Sequence, residues 1–130
     1  MSTWKMFNPP VPHPFSMSAS NDEWVLVSGV GGHHSDGSIA EDPEAQVKDA
    51  LEAVAALLAQ AGSSVEEIVW FKPYVTSREV LPIVDAALRD FVGSPAPASA
   101  AMTITELADP RMVVEFEAWA HRGATRESSL

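Results

Sequence analysis

Residues 112–120 alternate in polarity. Met112, Val114, Phe116, Ala118 and Ala120 fall on one side of an extended chain, and Val113, Glu115, Glu117 and Trp119 on the other, because successive side chains of a strand point to opposite faces. The first row suits a core. The second sets a large indole after two carboxylates, which is not an ordinary solvent face. The same period of two runs through WVLVSG, 24–29, with Trp24, Leu26 and Ser28 opposite Val25 and Val27. It returns in VEEIVWFKPYV, 65–75, where Val69, Phe71, Pro73 and Val75 oppose Ile68, Trp70, Lys72 and Tyr74. Pro73 marks an edge or a bulge there, since it has no amide proton for a ladder. PFSMSAS, 14–20, reads as a short strand that turns at Asn21-Asp22 to form a hairpin with 24–29.

Helical spacing takes over in two places. Asp42-Pro43-Glu44 is a start signal: an N-cap acceptor, a proline at the first helical position and an acid in the first turn. Val47, Leu51, Val54 and Leu58 then form one apolar stripe, and Gly62 ends it. A second helix is expected over 77–92, with Leu81, Val84, Leu88 and Phe91 as its stripe, Pro82 in its first turn and Gly93 as its stop. Residues 94–99 read as a linker. Residues 100–107 read as a strand that turns at Ala108-Asp109-Pro110 into the last one. The prolines of 1–13 predict an extended or irregular arm with Trp4, Met6 and Phe7 as packing anchors, and the polar 121–130 is expected to fray.

The predicted order is β-β-α-β-α-β-β, an α+β pattern in which two helices cover one face of a sheet. Trp70, Tyr74, Glu115, Glu117 and Trp119 share the other face, and such a patch marks an oligomer interface or a ligand pocket. With 130 residues the chain fits one domain spanning 1–130, an arm over 1–13 and a flexible tail over 122–130 included. Cysteine is absent, which excludes thiolate chemistry and disulfides. No apolar run approaches the ~20 residues that span a bilayer, and no basic-then-apolar leader opens the chain, so a cytoplasmic protein is expected. Eighteen acidic against eight basic residues give a formal charge of −10, which opposes phosphate backbones and leaves neutral or cationic small molecules as ligands.

Glu115 is the leading candidate for chemistry. Residues two apart on a strand lie roughly 7 Å apart, so Glu117 raises its pKa if both are partly desolvated, and a raised carboxyl can act as general acid or base. The bland alternative is a carboxylate satisfied by backbone amides at a subunit contact. Glu117 itself is expected to pair with Lys72. GVGGHHSDGS, 29–38, holds four glycines and predicts a loop with unusual backbone angles; it lacks the lysine and spacing of a P-loop. His33 and His34 can titrate near neutral pH, or they are simply solvated. No third ligand at recognisable spacing makes them a metal site, and no metal or cofactor is expected. Ser28 and Ser99 stand outside any G-x-S-x-G elbow.

Taken together, these pieces resemble the Rid family, the reactive intermediate or imine deaminases also called YjgF-like proteins. The resemblance runs from about Pro14 to His121. It rests on Pro14-Phe15-Ser16, Val27-Ser28-Gly29, Gln46 with the 50–58 pattern, Leu58-Ala59-Gln60-Ala61-Gly62, Pro97-Ala98, and Val114-Glu115-Phe116-Glu117-Ala118-Trp119-Ala120. It implies a chorismate-mutase-like α+β fold assembled as a homotrimer, sheets inward, with three ligand clefts between subunits. It further implies that water attacks the carbon of an imine or enamine derived from an amino acid, releasing ammonia and a keto acid. In active members an arginine after the Pro-Ala pair holds the substrate carboxylate and a glutamate of the last strand handles water and protons. Glu115 matches that glutamate, and Ser28 and Gly29 match pocket positions. Ser99 stands in place of the arginine, and Phe15 in place of a common tyrosine.

The expected site therefore lies between subunits. Glu115 and His34 are its catalytic candidates, and Phe15, Ser28, Gly29, Val30, His33, Ser99 and Ala101 its substrate-binding ones. The expected function is hydrolytic deamination of an enamine or imine metabolite that is not the simple amino-acid-derived kind. The alternative is a non-catalytic trimer that binds or protects a small molecule. RNA cleavage is a distant third, because the charge opposes it.

Overall fold

Helix α1, Pro43–Gln60, begins as its start signal dictates: Asp42 is extended and its carboxylate accepts from the Ala45 amide at 3.1 Å. Val47, Leu51, Val54 and Leu58 are all buried. Gly62 follows the end at φ 78°, a left-handed backbone that suits glycine. Helix α2, Leu81–Val92, carries Pro82 in its first turn and is followed by Gly93 at φ 70°; residues 78–80 ahead of it form a 3-10 turn.

A computed structural model describes residues 3–129. Its strands are β1 (Lys5–Phe7), β2 (Ser18–Ser20), β3 (Trp24–Val30), β4 (Ile68–Val75), β5 (Ala98–Ser99), β6 (Met102–Thr103) and β7 (Val114–His121). They form one mixed sheet in the order β1-β2-β3-β7-β4-β5, with β6 also paired to β4. β7 lies between β3 and β4 and is antiparallel to both, while β5 and β6 run parallel to β4. Val25, Val27, Phe71, Val75 and the row Val114, Phe116, Ala118, Ala120 pack against the α1 and α2 stripes. Phe71 meets Phe116 with ring centroids 5.2 Å apart. Fully burying an aromatic side chain of this size stabilises the fold by about 2–3 kcal/mol. This is the expected α+β class, two helices on a mixed sheet.

Several local expectations change. The arm is not irregular throughout: Lys5–Phe7 pairs with β2 as an edge strand, yet Trp4, Met6 and Phe7 are exposed rather than anchoring a core. The predicted start of β4 at Val65 is a 3-10 turn, Val65–Glu67. A register shift between Ile68 and Trp70 then puts Ile68 in the core and leaves Val69 only half-buried, reversing their predicted faces. Pro73 sits inside the sheet because no neighbour asks for its amide. The bonds Thr76 N to Val113 O and Ile104 N to Val75 O mean that Val75, and by alternation Pro73, turns its backbone away from β7. That side is open between β5, opposite Trp70–Phe71, and β6, opposite Tyr74–Val75. The predicted strand over 100–107 is accordingly only Met102–Thr103, and Ala98–Ser99 of the predicted linker is a strand.

Beyond β7 the described residues have no regular structure, but arginines hold them. Arg126 donates to the carbonyls of Pro95, Val65, Glu66, Ile68 and Val92, so one guanidinium serves both the 3-10 turn and the last residue of α2. Arg122 donates to Asn21 O and Ala61 O at 2.9 Å each.

Candidate functional site

Cross-strand register builds the face opposite the helices. Trp70 lies across from Trp119, Lys72 from Glu117 and Tyr74 from Glu115, so the open-face residues of the sequence pattern form one patch. Lys72 does not pair with Glu117: its ammonium lies 5.2 Å from the centre of the Tyr74 ring, and no ion pair between the two is present among the described residues. Parallel pairing extends the Tyr74–Glu115 row to Met102, and the Trp70–Trp119 row to Ala98.

Glu115 is half-buried. Its carboxylate rests against the backbone of Gly29 on β3, so closely that a Cβ added there would lie 2.0 Å from Oε1. None of the described residues makes a hydrogen bond or ion pair with it. Burial raises its pKa above the ordinary carboxylate value, the Glu117 charge adds to the rise, and His33 opposes it. A carboxyl desolvated yet unsatisfied is suited to exchanging a proton with a ligand.

The glycine loop owes its composition to packing more than to backbone angle. Among Gly29, Gly31, Gly32 and Gly37 only Gly37 has a positive φ, 85°. A Cβ on Gly32 would meet Gln46 O at 2.8 Å and Asp49 Cβ at 3.0 Å, so the chain crosses α1 backbone-to-backbone.

The two histidines take different directions. His34 is turned to α1: Nε2 lies 2.8 Å from Asp49 Oδ2 and Nδ1 3.0 Å from Ser38 Oγ. His33 forms a bridge with Ile39 and places Nε2 2.9 Å from Asp109 Oδ2. Arg111 grips that carboxylate from the other side, Nε to Oδ1 at 3.1 Å and Nη2 to Oδ2 at 2.7 Å, while Nη2 also reaches Gly37 O at 3.2 Å. These bonds, Arg111 first and then His33, hold the Asp109 carboxyl well below the usual range. The His33–Asp109–Arg111 cluster escapes a sequence reading because 76 residues separate its ends; Asp109 shows only as a turn residue.

Buried Gln46 carries the frame beneath. It donates to Ala40 O at 3.0 Å and Arg111 O at 3.1 Å, and accepts from the Val113 amide at 2.5 Å. Its signal in the sequence is a polar residue on the buried face of α1, one turn before Ala50.

The remaining candidates are spread. Ser28 donates its hydroxyl to Ser16 O at 2.6 Å and its amide to Met17 O at 3.0 Å, pinning the 8–16 loop to β3. Phe15, on that loop, is exposed and stacks on His13 at 4.9 Å; the loop frames a cavity of about 550 Å³. Val30 sends its side chain into the core. Ser99 pairs with Phe71 and lines a cavity of about 300 Å³ with Leu88 and Arg89 of α2, so it shares the helix side of the sheet with Phe71. Ala101 is exposed between β5 and β6. Within one chain Glu115 lies against Gly29, and His33 follows on the loop whose Gly31 passes Met112 and the Val114 carbonyl, while Ser99 shares the Phe71 side and His34 turns to α1. Among the described residues no group of three or more His, Asp or Glu is placed to hold a metal ion, and no helix is long and apolar enough to cross a membrane.

The sequence profile of the endoribonuclease L-PSP family matches residues 7–122. The chain belongs to this family, the YjgF/Rid family. Solved relatives agree. Rv2704 of Mycobacterium tuberculosis, described as a member of the highly conserved YjgF/YER057c/UK114 family, is 25% identical, with 92% of this chain and 99% of that chain covered and a TM-score of 0.81. A protein of unknown function from Pseudomonas aeruginosa, PA3499, is 26% identical over 96% of both chains with a TM-score of 0.85. RidA from the Antarctic bacterium Psychrobacter is 24% identical, covers 87% of this chain and 92% of its own, and has a TM-score of 0.81, which speaks for the shared fold. No curated protein sequence matches the chain. Family membership carries a YjgF/Rid-type role for this protein.

Proposed function

We propose that this family member is a hydrolase that deaminates an enamine or imine metabolite, working as a homotrimer with its sites between subunits. The observation that carries the reading is Glu115: a half-buried carboxyl with a raised pKa, unpartnered among the described residues, beside the bare backbone of Gly29. A neutral carboxyl at that spot gives a proton to the imine nitrogen as water adds to the carbon, and takes one back when ammonia leaves. By the resemblance Ser99 stands in place of the clamping arginine, and within one chain it lies on the helix side of the sheet, so no carboxylate clamp from this position meets Glu115. The substrate is therefore not a small 2-imino acid, and the Trp70–Tyr74–Trp119 face fits a larger, ring-bearing compound. The family name mentions an endoribonuclease, but a formal charge of −10 makes a polynucleotide a poor substrate.

Assembly follows from the same face: Trp119, 46% exposed on a sheet, is the kind of patch that a neighbouring copy covers. The test is ammonia release from imines generated in situ, with light scattering alongside. Glu115→Gln should abolish turnover and keep the trimer, whereas Trp119→Asp should split it. Brisk turnover of 2-iminobutyrate would refute the substrate class. A stable species near 13.9 kDa would refute the inter-subunit site. Ligand affinity that survives in Glu115→Gln, with no turnover by either protein, would instead favour a binding protein.

A further inference from the structure

Asp109 approaches one ring nitrogen of His33 and leaves the other alone. An ionised carboxylate only accepts hydrogen bonds, and Arg111 keeps this one ionised through two guanidinium bonds and a backbone amide bond at 3.0 Å. The proton between them is therefore on His33 Nε2. Nδ1 of His33 makes no bond to a described residue and in the neutral ring is a free base. The ring stands on the loop that leaves β3, three residues after the strand ends, in the same strand-and-loop segment as Gly29. Gly31, two residues before His33, lies against Met112 and the Val114 carbonyl, so the loop runs beside the end of β7 that carries Glu115.

We propose that His33 is the second proton carrier of the Glu115 site and that Asp109, clamped by Arg111, is the positioning residue that fixes its tautomer; this rests on the deaminase reading above. Two carriers balance the reaction. As water oxygen bonds to the imine carbon, the neutral Glu115 carboxyl gives its proton to the imine nitrogen, and Nδ1 of His33 takes the proton that water loses. The product is a carbinolamine beside a carboxylate and an imidazolium. The imidazolium then protonates the amine nitrogen and the Glu115 carboxylate takes the hydroxyl proton. The C–N bond breaks, the C=O bond forms, ammonia leaves, and both side chains return to their starting states. No oxidant, metal or third group is required. A carboxylate that orients a histidine in this way, by holding the far nitrogen, is a general device for presenting the near one as a base.

The test joins nitrogen-15 NMR of the histidines with steady-state kinetics on the full chain. In the wild-type protein at a pH where His33 is neutral, the spectrum should show the tautomer with the proton on Nε2. Asp109→Asn should give a mixture of both tautomers and lower kcat about 10–100-fold with KM little changed; asparagine retains an acceptor for the Arg111 amide, so the turn persists. His33→Gln should lower kcat about 100-fold, and adding Asp109→Asn to it should cost nothing more, since a positioning residue acts only through its partner. A wild-type Nδ1–H tautomer, a full kcat in His33→Gln, or losses that multiply in the double variant would each overturn the proposal while turnover by the wild-type protein still upheld deamination. No turnover by the wild-type protein, with the Nε2–H tautomer present, would overturn the deaminase reading and leave His33 a loop fastener, ending its role as carrier.

Discussion

Replacing Gly29 by alanine separates stability from function at a single atom. The new Cβ would stand 2.0 Å from Glu115 Oε1 and 2.9 Å from Cδ, but 3.4 Å from Cγ, already an ordinary contact. Oε1 must therefore withdraw by roughly 1.4 Å and Cδ by about 0.5 Å to reach normal separation, and a turn about the Cβ–Cγ bond moves both, leaving both strands in place. An off-rotamer torsion costs about 0.5–1.5 kcal/mol, and replacing glycine by alanine in a strand, where Gly29 has no positive φ, returns about 0.5–1 kcal/mol. The two nearly cancel, so the melting temperature should change by less than about 5 °C. Displacing a reacting group by about 1 Å costs on the order of 100-fold in rate, so kcat should fall by that factor. Glu115, turned toward water, should titrate closer to an ordinary glutamate in carbon-13 NMR of its carboxyl, a readout that needs no substrate. Gly32→Ala is the control: its Cβ would press on Gln46 O and Ala50 N of the α1 backbone, at 2.8 and 3.4 Å, as well as Asp49 Cβ, where nothing flexible can yield. It should cost about 1–3 kcal/mol. If Gly29→Ala destabilised the protein as much as Gly32→Ala, the carboxylate would be held by more than the contacts described, and the reasoning would fail.

Two further expectations concern the same frame. Gln46→Leu leaves the Val113 amide and the Ala40 and Arg111 carbonyls without the bonds Gln46 makes, which should cost about 2–5 kcal/mol in denaturant unfolding; a loss below 1 kcal/mol would show that water takes those places. The raised Glu115 pKa has a definite sign: the stability it contributes is complete below the unfolded pKa of about 4.5 and is lost as pH rises through the folded value, because ionisation in the half-buried site is disfavoured. Glu115→Gln should therefore match the wild type at pH 4 and exceed it in stability at pH 8, and equal stabilities at both would remove the desolvation argument.

Much of this molecule is written locally. Asp42-Pro43 and Gly62 bound α1 because caps and left-handed glycines act within one turn of chain. The rows 24–28 and 114–120 declare their faces because a pleat alternates whatever it pairs with, and they were enough to put Glu115 beside Tyr74 and Trp119 on the side the helices leave open. The family resemblance was legible too, from short pieces in a fixed order. What the chain could not announce depends on ladders between distant strands. The bulge that buries Ile68 exists only against β7. The gap that accepts Pro73 exists only because β5 and β6 pair with different parts of β4. Ser99, placed by resemblance next to the site, shares Phe71's side of the sheet because parallel pairing ties its face to its partner's. The His33–Asp109–Arg111 cluster needs the loop after β3 and the turn before β7 folded onto each other, and no spacing in the sequence encodes that meeting. Periodicity reports which side of an element a residue occupies; only register and packing decide what stands opposite it.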